Sequence, residues 1–265
     1  MEHVRALENK PSPARGQQVR ERLEALGIPA TRQECHRPQI KNIIVDFSGD
    51  SEEKRLVFSA HYDSVKGSPA ANDNASGVAV LLGLCQQLKG IQAPIRVIFF
   101  DREEAWLRTP VLRLGLLGSL YYVFKNDLHN IEAVYNLEFC GLGESVGVWP
   151  VRRHEENLPA VTLVKKATAN LNLPLRLAHI PWILLSSDHL SFRLKGLANS
   201  VTLSLLPVAE LPALLMGRRP VLPEVLSYIH SAKDTSSRLS EEPLRLMLSL
   251  LLEIIKDYSS TRSPS

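Results

Sequence analysis

The chain has 265 residues, 45% hydrophobic and 22% charged, and its 31 Lys+Arg against 28 Asp+Glu leave a formal net charge of +3. Such a chain buries a sizeable core without staples, and its composition excludes collagen, extended disorder and a disulfide scaffold. With so small a charge and no dense Lys/Arg block, nucleic acid is not an expected partner.

The first twenty residues are polar and hold no apolar h-region, so no signal peptide is expected and a cytoplasmic location is. After Pro11-Ser12-Pro13, Val19, Leu23 and Leu26 share one face and Gly27 stops the run, which predicts a short N-terminal helix over about 13–27. Strands are predicted at 40–47 and 55–60, then a helix over 76–88 that stops near Gly90. The run 95–100 is apolar almost throughout, as in a central strand covered on both faces. A helix over 116–124, a strand over 133–138, a helix over 158–170 and a shorter helix after Ser187 follow. The last elements are a strand over 201–206 and an amphipathic helix over 243–258. Strands alternating with helices predict a single α/β domain over 1–265, with a mixed, largely parallel sheet between helices.

Two stretches, 102–115 and the Pro-rich 207–229, are long and irregular, and the second is expected to form a rim loop. The most apolar long stretch, Ala198 to Gly217, is broken by Pro207, Glu210 and Pro212, so no membrane span is expected. Cys35, Cys85 and Cys140 have no CxxC spacing, which excludes a cysteine zinc knuckle, and Cys85 and Cys140 read as buried small hydrophobes.

The chemistry lies at the strand ends. The strand 55–60 runs into His61-Tyr62-Asp63, the strand 95–100 into Asp101-Arg102-Glu103-Glu104, and the strand over 133–138 ends at Glu138. Sites of open α/β sheets form at the carboxyl ends of strands, so these side chains are expected on one edge. Asp73 stands just before a helix, where it also suits an N-cap. His230 follows the Pro-rich loop and takes its weight from the set. Imidazole and carboxylate donors suit zinc first. His61, Asp73, Glu104, Glu138 and His230 together supply one bridge and four terminal positions for two ions. Asp63, two residues from His61, shares its face on an extended backbone and can fix the imidazole tautomer. Glu103 and Glu104 diverge, so one can bind metal while the other serves as general base.

At these residues the chain resembles the zinc-dependent exopeptidase family of bacterial leucyl aminopeptidases, whose superfamily includes glutamate carboxypeptidase and glutaminyl cyclase. The matching segments are SAHYDSV (59–65), GSPAANDNASGVAVLL (67–82), FFDREEAWL (99–107), LGSLYYV (117–123), NLEFCG (136–141), SSDHLSFRLKGL (186–197) and IHSAKDT (229–235). The resemblance implies two zinc ions, one being the alternative count. Asp73 would bridge, His61 would share its ion with Glu138, and Glu104 would share the other with His230. It further implies Glu103 as general base, Asp63 as the residue that orients His61, and Asp188 and His189 lining the substrate site. The implied reaction removes the N-terminal residue of a peptide substrate.

Two departures stand out. The family usually has Asp where this chain has Glu138, one methylene longer, and residues 108–115 form an insertion like that of glutaminyl cyclase. A single-zinc glutaminyl cyclase is therefore one alternative, and a non-catalytic peptide-binding homologue another. A carboxypeptidase would need a cationic clamp, for which Arg218 and Arg219 are the candidates, and Trp106 and Trp182 are candidates for a substrate pocket or the core. The oligomeric state is left open.

Overall fold

The computed structural model describes residues 1–47, 53–104, 115–179, 186–207 and 227–261, with the backbone of 107–108 and 113–114. In chain order, helices α1 (Glu2–Leu7) and α2 (Ser12–Ala25) precede strands β1 (Thr31–His36), β2 (Gln39–Asp46) and β3 (Arg55–His61). Helix α3 (Ser76–Gln87), strand β4 (Ile95–Phe100), a short antiparallel pair β5 (Leu107–Arg108) and β6 (Arg113–Leu114), and helix α4 (Leu117–Lys125) follow. Then come β7 (Ile131–Leu137), β8 (Ser145–Trp149), α5 (Pro159–Asn170), β9 (Leu175–Leu177), α6 (His189–Leu194), β10 (Ser200–Leu206) and α7 (Glu241–Ser260).

Among the described residues the main sheet has eight strands in the order β1-β2-β4-β3-β7-β10-β8-β9. Its centre, β4-β3-β7-β10, is parallel. On one side β1 and β2 are antiparallel additions, and on the other β10 pairs antiparallel with β8. The central strands alternate between two buried faces, as period-two geometry requires. Leu56, Phe58 and Ala60 of β3, with Val97 and Phe99 of β4, enter the larger core formed with α1, α2, α3, α5 and α7. Val57, Ile98 and Phe100 face the opposite side, where Tyr122, Val123 and Phe192 of α4 and α6 close a smaller core. Both faces are apolar because both are covered, which is why these strands read as continuous apolar runs.

The predicted elements occur with boundaries shifted by at most two residues, and the strand 95–100 matches at both ends. Cys85 and Cys140 are fully buried. Helix α1 and strands β1, β8 and β9 are additional to the sequence reading, as is the short β5–β6 pair within the stretch 102–115 read as irregular. Strand β1 is a half-exposed edge strand without apolar alternation, α1 is six residues long, and β9 has three. Most of the Pro-rich stretch, residues 208–226, lies outside the described residues, as do Trp106, Trp182, Arg218 and Arg219. No helix among the described residues is long and apolar enough to cross a membrane.

One glycine locks the smaller layer to the edge that carries the site. A Cβ at Gly118 would lie 2.1 Å from the carbonyl oxygen of Asp101 and 2.7 Å from Asn42 Oδ1. Relief requires moving the backbone that leads into Glu103 and Glu104. Gly118→Ala is expected to destabilise the fold by about 3 kcal/mol, the upper part of the range for overpacking. A urea melt unchanged from the parent protein would contradict it.

Candidate metal centre

The parallel order β4-β3-β7 brings three strand ends to one edge. Strand β3 ends on His61, β4 is followed by Asp101–Glu104, and β7 by Glu138. Asp73 arrives from the segment before α3, and its peptide bond to Asn74 is cis. Its backbone is non-helical, at φ −113° and ψ 86°. Asp73 is not the N-cap expected from the sequence: the side chain that caps the turn belongs to Asn74, whose Oδ1 accepts the Gly77 N–H at 3.1 Å. The Asp73 carboxylate is thereby left to the cluster.

Its two oxygens face different partners. Asp73 Oδ1 lies 3.2 Å from His61 Nε2, and Oδ2 lies 3.0 Å from His230 Nε2. His61 Nε2 is also 3.5 Å from Glu138 Oε2, and His230 Nε2 is 2.9 Å from Glu104 Oε1. Ligand atoms of His61, Asp73 and Glu104 lie within 4.8 Å of one another. The structure thus gathers all five side chains named as metal donors into one cluster, in which His230 is the most exposed at 25%.

The electrostatics of this cluster call for positive charge. Burial alone would lower the His61 imidazole, yet Glu138, Asp63 and Asp73 raise it well above its ordinary range. His230 is pushed up to about 9 by its hydrogen bonds to Asp73 and Glu104. Burial and the Asp73 charge raise the Glu104 carboxyl. Asp73 itself, despite burial, is held well below the carboxylate range by His230 and His61. Carboxylates that draw protons onto two imidazoles will accept divalent cations in their place. Among the described residues no hydrogen bond reaches the buried Glu138 Oε2, while Oε1 accepts from Ser187 Oγ at 2.6 Å and Asn136 Nδ2 at 3.3 Å. One oxygen is anchored and the other is aimed at the imidazole, so the residues present fit a metal centre.

Asp63 does more than its spacing suggested. Its Oδ1 is 3.3 Å from His61 Nδ1, and its two oxygens accept the backbone N–H groups of Glu103 and Glu104, each at 3.0 Å. One carboxylate therefore holds the turn that presents the adjacent glutamates and stands beside the imidazole of His61. Burial pushes the Glu103 carboxyl well above its usual value, with Glu104, Glu138 and Asp188 adding to the rise.

Asp188 is fully buried at the start of α6, and burial pushes its carboxyl up to about 7. His189 sits one hydrogen-bond layer back. Its Nδ1 contacts Thr202 Oγ1 at 2.7 Å, its ring meets the edge of Trp149, and burial drops its pKa to about 3. Among the described residues its ring is linked to the cluster through Thr202 and Asn136.

Two supporting residues escaped the sequence reading. Arg15 is fully buried and donates to the carbonyls of Asp63 at 3.1 Å and Ala70 at 2.6 Å, tying α2 to both ends of the loop that joins β3 to the Asp73 segment. Its signal was present, since residues 15, 19 and 23 share the buried face of α2 and only the first is charged. Asp234 accepts the N–H groups of Asn72 at 2.7 Å and Asp73 at 3.0 Å, which holds the bend that turns Asp73 inward.

Residues 42–255 match the model of peptidase family M28. Aminopeptidase YwaD of Bacillus subtilis is 42% identical over 91 residues, which are 32% of this chain and 18% of that protein. A solved zinc aminopeptidase from Bacillus subtilis superimposes with a TM-score of 0.64 at 25% identity, covering 83% of this chain and 50% of the other. Porphyromonas gingivalis glutaminyl cyclase shares the fold over 97% of this chain and 96% of its own, with a TM-score of 0.73 at 18% identity. The chain thus spans half or less of the two aminopeptidases it matches.

Proposed function

The chain belongs to peptidase family M28, and on that premise we propose that it is a metal-dependent aminopeptidase working through a pair of zinc ions. The observation that carries this reading is the division of the Asp73 carboxylate, one oxygen toward His61 and the other toward His230. That is the disposition of a bridging ligand, with Glu138 beside the first imidazole and Glu104 beside the second. Imidazole nitrogen and carboxylate oxygen are ordinary zinc ligands. Bound there, the ions would supply Lewis acidity toward the scissile carbonyl and a more acidic water.

The chain's own residues do the rest. Glu103 takes a proton from the attacking water and delivers it to the leaving amine nitrogen. Asp63 keeps the His61 ring and the Glu103–Glu104 turn in register. Asp188 lines the substrate side, and His189 supports that wall from behind. The insertion at 108–115 keeps a glutaminyl cyclase as the competing reading.

Metal analysis of the purified chain, paired with free aminoacyl, N-terminal Gln and N-blocked peptides, tests the proposal. Two zinc ions per chain and cleavage confined to free amino termini are expected, lost on chelation and restored by zinc. One zinc with cyclisation of N-terminal Gln would select the cyclase. A chain that binds no metal would leave only a peptide-binding homologue.

A further inference from the structure

A cavity of about 690 Å³ opens between α2, β2 and the turns that follow β3 and β4. Asp63 and Glu104 form part of its wall, so it adjoins the metal centre. Tyr62 lies inside it almost fully buried, with its hydroxyl donating to the Lys41 carbonyl at 2.8 Å. The cavity is a built feature: Gly16 of α2 lets the Tyr62 ring approach, since a Cβ there would lie 2.9 Å from ring atoms.

Cations outnumber carboxylates on its wall. Arg20, Arg32, Lys41, Lys66 and Arg102 all line the cavity. The carboxylates that line it are buried and engaged. Asp63 accepts from Glu103 and Glu104, Asp101 accepts the Lys41 N–H at 3.0 Å, and Glu104 faces His230. Among the described residues, Arg32 pairs with Glu34 at 3.0 Å, while no ion pair engages Arg20, Lys41, Lys66 or Arg102. Five cations against three buried carboxylates leave the lining with an excess of positive charge, and its cations are the more exposed of these groups. A concave wall with an excess of one sign focuses the field and raises the local concentration of the opposite sign. The volume is that of a small-ligand pocket, enough for a few residues of peptide and too small for a macromolecular surface.

We propose that this cavity is an anion subsite holding a carboxylate-bearing segment of the peptide, so that the substrates are acidic peptides. The choice of carboxylate over phosphate follows from the wall shared with a peptidase centre, because the anionic groups of an ordinary peptide are carboxylates. The inference rests on the aminopeptidase reading for the fate of the peptide, and on the cavity alone for its capture.

Binding separates the two. The probes are N-acetylated tri-glutamate and tri-glutamine peptides, each labelled at the C-terminus with a fluorophore and titrated with the zinc-loaded full chain. Acetylation removes the free amino terminus, so hydrolysis does not enter the readout. Tri-glutamate is expected to bind about tenfold more tightly at low salt, and the advantage should vanish near ~0.5 M salt. The double variant Lys66→Gln/Arg102→Gln should erase most of that advantage, and Lys125→Gln/Lys165→Gln, away from the cavity, should keep it. Equal affinity for the two peptides, or equal losses in both double variants, would overturn the subsite. Displacement of tri-glutamate by inorganic phosphate at matched concentration would overturn the carboxylate assignment. If discrimination persists in a chain that hydrolyses nothing, only the reaction assigned above falls. If hydrolysis is intact and discrimination absent, only the subsite falls.

Discussion

Replacing Glu103 by Gln is expected to lower turnover by about 10²–10⁴-fold, the contribution of a positioned general base, while zinc content stays at the parent level. The substitution preserves volume in a side chain that is 6% exposed, so packing is kept. The backbone N–H of Glu103 still donates to Asp63, so the turn that presents Glu104 to His230 is not disturbed. What is lost is a carboxylate whose proton affinity is raised by burial and by neighbouring Glu104 and Glu138. The measurement is kcat on a free aminoacyl substrate beside metal content by elemental analysis. Hydrolysis within tenfold of the parent would remove Glu103 from the role.

Asp73→Asn is expected to strike metal content itself. The carboxylate presents one oxygen to each imidazole, at 3.2 and 3.0 Å, and an amide keeps one oxygen while turning an N–H₂ toward the other ring. It also removes the negative charge that raises both imidazoles and would stabilise two dications. Zinc affinity should fall by more than the ~10–100-fold typical of a supporting residue, with the loss of at least one ion per chain. Turnover should fall with it. The fold should persist, because the bend at Asp73 is held by main-chain bonds to Asp234 that the substitution leaves in place. A variant that keeps two tightly bound ions would dismiss the bridge. The contrast between the two variants is informative: one separates chemistry from metal, and the other ties them together.

The parallel centre of the sheet was legible because its strands are buried on both faces and carry unbroken apolar runs that end abruptly in His61, Asp101 and Glu138. Elements without that contrast were not legible. Strand β1 is polar and half exposed, and β9 is paired by geometry over three residues. Asp73 shows the same limit at one residue. Its place before α3 suited a helix cap, and only the bend held by Asp234, with Asn74 taking the cap, releases its carboxylate to the imidazoles.

What the amino-acid order determined by itself is which donors exist and that several lie at strand ends, because hydrophobic periodicity is local and the polar residue that breaks it is read directly. The tertiary structure decided which donors meet, since His61 and His230 are 169 positions apart in the sequence and share a partner only through the crossovers of the sheet. It also decided the buried supports. Arg15 lies in no matched segment and acquires meaning only when α2 packs against the loop that follows β3, while Asp234 and Arg102 lie inside matched segments whose pattern does not say what they touch. Local preference depends on neighbours in the chain, whereas a site's charge and shape depend on neighbours in space.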